Sequence, residues 1–121
     1  MSDGSGDHVK PYDIRLRTLD FSDVILDVTG QVPGTPEGCV VRSQLADAAT
    51  SIGANVEEGD GALTKPDRRK SYVIARKEAC ETIFWLRLVE RKWGKFVQVK
   101  PHMDEVSEII CILSAIIAKL S

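Results

Sequence analysis

The sequence predicts an all-α fold, an antiparallel up-down-up-down four-helix bundle that assembles as a homo-oligomer. Three observations carry this. Four long segments repeat their apolar residues at helical intervals of three and four. Clusters of Gly and Pro separate those segments, leaving connections short enough to fold each helix back on its neighbour. No segment alternates apolar and polar residues for long enough to make a strand; Val97-Gln98-Val99 is too short.

The 121 residues suit one domain, with residues 1–11 as an N-terminal tail and 12–121 as the bundle. Met1–His8 is small and polar, with none of the basic and apolar regions of a secretory leader, and Met1–Lys10, rich in Gly, Ser and Asp, is expected to be disordered. The first helix should begin at Asp13 as N-cap and bury Ile14, Phe21, Ile25, Val28 and Val32. Pro33-Gly34-Thr35-Pro36 ends it.

The second helix should run from Pro36, a residue suited to a first turn, to about Glu58, with Gly59 just past its end. Ala46, Ala48, Ala49, Ser51, Gly53 and Ala54 make its middle small. An interior Gly costs roughly 1 kcal/mol against Ala, so Gly53 is expected where another backbone comes close. The third helix should start at Thr64, a cap followed by Pro66 and Asp67, and stop at Gly94. Pro101 should open the fourth.

The last two helices carry more apolar surface than one core needs. In the fourth, a seam of Met103, Val106, Ile110, Leu113, Ile117 and Leu120 is flanked by Ile109, Ile112 and Ile116, an arc of roughly 180° where about 100° would suffice. In the third, Tyr72, Ala75, Ala79, Ile83 and Leu86 make one face, and Ile74, Trp85, Leu88 and Val89 a second. Large exposed apolar patches are rare on monomers. Ile74, Trp85, Leu88, Val89, Ile109, Ile112 and Ile116 are therefore expected at a subunit interface; the alternative is that the bundle and the Val97–Val99 connection cover them.

Little in the chain points to chemistry. His8 and His102 have no metal-ligand spacing, and neither Cys-x-x-Cys nor Glu-x-x-His occurs. No cofactor or metal is expected, no phosphate-binding loop is present, and no enzyme is predicted. Cys39, Cys80 and Cys111 are odd in number and far apart, which reads as buried free thiols in a reducing, cytoplasmic setting. No stretch is long and apolar enough to span a bilayer, so no membrane partner is expected. Glu57, Glu58, Glu78 and Glu81 would fall on neighbouring helices, where such acids far more often satisfy bases than catalyse.

Charge asymmetry is the feature that suggests a partner. Thr64–Lys95 holds ten bases and four acids, about +6, so with a chain total of -2 the remainder carries about -8. Lys65, Arg69, Arg76, Arg87 and Arg91 fall within roughly 80° on the third helix. Such a stripe can track phosphates of RNA or DNA, and with no aromatic platform for bases it should show little sequence preference. The negative overall charge favours instead a solvated face, or pairs with Asp20, Asp23, Asp27, Glu57 and Glu58.

The run Ser43–Gly59 contains Gln44-Leu45, Ala48-Ala49, Ser51-Ile52, Ala54-Asn55-Val56 and Glu58-Gly59. It resembles the signature of a bacterial four-helix bundle family. That family includes the proteins encoded in 23S rRNA intervening sequences and the accessory variability determinant of diversity-generating retroelements. Val32-Pro33 and the stretch Ile74–Leu86 resemble the family too, so that the likeness extends from about Tyr12. The resemblance implies the fold, a homopentamer and, through the retroelement protein, nucleic-acid binding by a basic surface. At Ala46-Asp47 the chain departs from the Arg-Arg of that pattern. A second reading is a purely protein-binding assembly factor whose partner is encoded nearby.

Overall fold

The computed structural model describes residues 14–121. The expected tail and the Asp13 cap lie outside them. The described residues form four helices and no strand: α1 (Ile14–Gln31), α2 (Pro36–Asp60), α3 (Lys65–Trp93) and α4 (Lys100–Lys119). The helices share one core. α1 packs on α2 and α4, and α3 packs on the same two, which leaves α1 and α3 diagonal to each other.

Local chemistry sets the ends. Thr35 caps α2 by accepting from the Gly38 backbone N–H at 3.1 Å, with Pro36 just inside. Thr64 caps α3 through the Asp67 N–H at 3.2 Å, and Gly94 closes it by donating to the Glu90 carbonyl at 3.0 Å. α4 has no side-chain cap. Its entry is held by Val97 and Val99, which the connection drives into the core.

α1 buries Ile14, Phe21, Ile25 and Val28 as its spacing predicts, and Val32, just past its end, is buried as well. In α2, Leu45, Ala49, Ile52 and Val56 point inward; each large side chain so buried is worth roughly 1.5–3 kcal/mol. This helix runs past Glu58 to Asp60, so Gly59 lies inside it rather than beyond it. A Cβ there would stand 3.1 Å from the Ser71 Cβ and 3.2 Å from the Tyr72 ring, and the missing side chain lets α3 close on α2.

Two expectations about the apolar arcs need correction. Val89 and Ile109 are fully buried within the protomer, so they are not at a subunit interface. On α3, Tyr72, Ala75, Ala79, Thr82, Leu86 and Val89 form a single inward seam at intervals of three and four, and Val89 continues it because Thr82 is fully buried beside it. On α4, Ile109 lies at the centre of the inward arc with Val106 and Leu113. Ile110 and Ile117 flank that centre on one side and Ile112 and Ile116 on the other, all half-buried. The two stripes of α4 are thus the flanks of one core-facing surface.

Candidate nucleic-acid interface

The stripe residues of α3 lie on its outer side, along the edge shared with α4. Lys65, Arg76, Arg87 and Arg91 are exposed and Arg69 is half-buried. Arg76 donates from Nε to the Ser114 hydroxyl at 2.7 Å, and Arg69 donates from Nε to the Ser121 hydroxyl at 3.3 Å. These bonds lay the first guanidinium groups along the α3–α4 groove, around a shallow hollow of about 440 Å³ that Val73 and Ile117 also line. Arg87 and Arg91 border a second hollow of about 250 Å³ with Phe84 and Leu88.

Among the described residues, none of the five bases meets a carboxylate within ion-pair distance. The acids expected to neutralise them are elsewhere or unengaged. Glu57 pairs with Arg15 of α1 at 3.1 Å, and Arg15 reaches Asp60 at 3.0 Å as well. Arg17 bonds Glu105 of α4 through two nitrogens, at 2.7 and 2.9 Å. Both arginines are held more firmly protonated by hydrogen bonds to these carboxylates. Asp20, Asp23 and Asp27 are exposed and enter none of these pairs.

Glu57, Glu58, Glu78 and Glu81, the acids that fall on neighbouring helices, do not come together as a cluster. Burial, then Glu81 and Asp47, push the Glu78 carboxyl above the usual glutamate range, while Glu57 is engaged at the other end of α2. The Trp85 indole N–H donates to Glu81 at 3.1 Å. No group of three metal-ligating side chains occurs among the described residues. All three cysteines are free and exposed, against the expectation of burial. Their apolar sequence neighbours turn to other faces of the same helices, which linear adjacency does not reveal.

The family follows from these comparisons. The family model described as 23S rRNA-intervening sequence protein matches residues 10–115. This chain belongs to that family. A solved structure, that of a protein with unknown function from the S23 ribosomal protein family of Bacteroides thetaiotaomicron, is 29% identical and superposes with a TM-score of 0.82, covering 91% of this chain and 99% of the other. No curated protein matches the sequence. The family signature serves packing here: Leu45, Ala48, Ala49, Ile52, Val56 and Gly59 are buried, and Asn55 donates back to the Ser51 carbonyl at 2.8 Å.

The remaining interface candidates are half-buried. Ile74, Trp85 and Leu88 lie on the outer flanks of α3, and Ile112 and Ile116 on the flank of α4. Ile116 lines a hollow of about 480 Å³ with Ile14, Tyr72 and Leu120. Sequence reasoning missed Phe84. It is exposed, its ring lies edge-on to Trp85 with centroids 4.9 Å apart, and it sits beside Arg87 and Arg91. The stripe therefore does carry an aromatic ring. Helical spacing held the signal, since Phe84 is three residues from Arg87 and seven from Arg91.

Proposed function

We propose that this chain is a non-catalytic, homo-oligomeric binding module that contacts RNA or DNA through the α3 stripe. The observation that carries the reading is the state of Lys65, Arg69, Arg76, Arg87 and Arg91: outward or half-outward, and without a carboxylate partner among the described residues. Their charge is available to phosphates, and in a symmetric oligomer it is repeated in every copy. A pentamer is the assembly that the family resemblance implies.

The helices in this reading run antiparallel, up-down-up-down. Support comes from contacts of opposite sense: Arg15 in the first turn of α1 with Glu57 and Asp60 at the end of α2, and Arg69 and then Arg76 along α3 with Ser121, just past α4, and then Ser114 within it. A cytoplasmic setting accords with three exposed free thiols, which oxidising compartments tend to convert to disulfides. No described helix is long and apolar enough to cross a membrane.

Fluorescence anisotropy of labelled RNA and DNA tests the reading. Binding should weaken steeply with salt, because each neutralised phosphate releases counterions. Arg69→Ala with Arg76→Ala should weaken it further. Absence of binding even at low salt overturns the nucleic-acid reading. It leaves a protein-binding module for a partner encoded nearby, which the exposed Val73 and Phe84 within the stripe favour.

A further inference from the structure

α1 turns three leucines to solvent. Leu16, Leu19 and Leu26 are 62%, 63% and 49% exposed. At 100° per residue they fall within about 80° of one another, on the side away from the core. Asp20, Asp23 and Asp27 interleave with them, exposed and outside every ion pair among the described residues. The outer face of α1 is therefore at once apolar and acidic.

α3 carries its complement. Val73 and Phe84 are 41% and 58% exposed, and Leu88 is half-buried beside them. Lys70, Lys77 and Arg91 alternate with these three, exposed and unpaired among the described residues. All six fall within about 60° of one another. The leucine stripe spans about 15 Å and the α3 stripe about 22 Å, so one can lie along the other. Because α1 and α3 are diagonal, the two stripes lie on opposite sides of the protomer.

We propose that the acidic leucine stripe of α1 in one copy of this chain seats on the basic Val73–Phe84–Leu88 stripe of α3 in the next copy. Charge decides the pairing. Two α1 faces would set aspartates against aspartates, and two α3 faces bases against bases. Unlike faces bury the same apolar surface and bring opposite charges together. Each docked copy still has one free face of each kind, so the contact is head-to-tail and passes from copy to copy, closing as a ring only where the rotation between copies allows it. Of the five stripe bases it takes up Arg91, with Arg87 bordering the same hollow as Phe84 and Leu88, and leaves Lys65, Arg69 and Arg76 along the α4 edge for phosphate.

This rests on the oligomeric part of the proposed function. The experiment is mass determination of the full chain by light scattering at micromolar concentration, with circular dichroism confirming that each variant is helical. Three chains are compared with the unaltered one. The first carries Asp20→Lys, Asp23→Lys and Asp27→Lys; the second Lys70→Glu, Lys77→Glu and Arg91→Glu; the third all six. The unaltered chain should give an oligomer, each single-face variant the protomer mass, and the six-fold variant the oligomer again. An unaltered chain of protomer mass overturns both the docking and the oligomeric reading. A single-face variant that keeps the oligomer mass, or a helical six-fold variant that stays a protomer, overturns the docking alone.

Discussion

A Cβ at Gly53 would stand 3.3 Å from the Thr18 hydroxyl oxygen and 3.4 Å from the Thr18 carbonyl oxygen, so α2 meets the backbone of α1 directly at this glycine. Thr18 has little room to yield, because it is fully buried and its hydroxyl donates to the Ile14 carbonyl at 2.8 Å. Gly53→Ala gains helix propensity of up to about 1 kcal/mol and loses a similar amount to the tight contact, so it should be nearly neutral. Gly53→Leu has no space and should cost about 1–3 kcal/mol. Urea denaturation of both variants checks this, and an unchanged midpoint for Gly53→Leu would remove the packing role.

The Arg17–Glu105 pair ties α1 to α4, the two neighbours that share the least contact. The Arg17 side chain is only 17% exposed, and its two short bonds to Glu105 have the fork geometry of a strong charge-assisted pair. Glu105 is more open to water, which reduces the benefit. Arg17→Met should destabilise by about 1–2 kcal/mol. A double-mutant cycle with Glu105→Gln should recover most of that as coupling; strictly additive effects would show that the pair contributes nothing specific.

The helices were legible because their signals are local. Thr35, Thr64 and Gly94 act at the positions their chemistry suggests, and the inward seam of α1 is the one its spacing predicts. The division of apolar residues between core and surface was less legible. A seam drawn through large apolar residues alone turns Val89 and Ile109 outward, because it passes over the buried Thr82 on α3 and centres α4 on the wrong isoleucines. The leucines of α1 leave no signal for the complementary reason: a helix with a complete inward seam gives no cue that Leu16, Leu19 and Leu26 form a second face. The candidate stripe was visible as a charge pattern. Its lack of acidic partners was not, because that depends on Glu57 turning to Arg15 across a tertiary contact.

Glu78 gives a pH dependence of definite sign. Its carboxyl holds its proton more tightly than the ordinary value of 4.5 allows, first because the α2–α3 seam partly desolvates it and then because Glu81 and Asp47 face it. A raised native pKa means that the native state binds the proton better than the unfolded chain does. The associated stability is full below the unfolded value and is lost as pH rises through the native one. At neutral pH the ionised group therefore disfavours the fold. Glu78→Gln should raise stability at neutral pH, by no more than about 0.5 kcal/mol for so accessible a site. The gain should vanish near pH 4. Thermal melts at the two pH values decide it, and a loss of stability at neutral pH would show that the carboxylate makes a favourable contact instead.

Cys80 reports on the head-to-tail contact from within. It is exposed on the protomer and lies on the outer side of α3 between Val73 and Phe84, seven residues from one and four from the other. A copy seated on that stripe covers it. Cys39, at the start of α2, and Cys111, on the outer side of α4, lie away from both stripes and are exposed as well. Reaction with a maleimide requires access to the thiol. In the assembled protein Cys39 and Cys111 should therefore react quickly and Cys80 slowly. In the variant carrying Asp20→Lys, Asp23→Lys and Asp27→Lys, which leaves α3 untouched, Cys80 should become as reactive as the other two. Peptide mapping after timed labelling gives the three rates separately. Equal rates at all three thiols in an oligomer of confirmed mass would place the contact away from the Val73–Phe84 face.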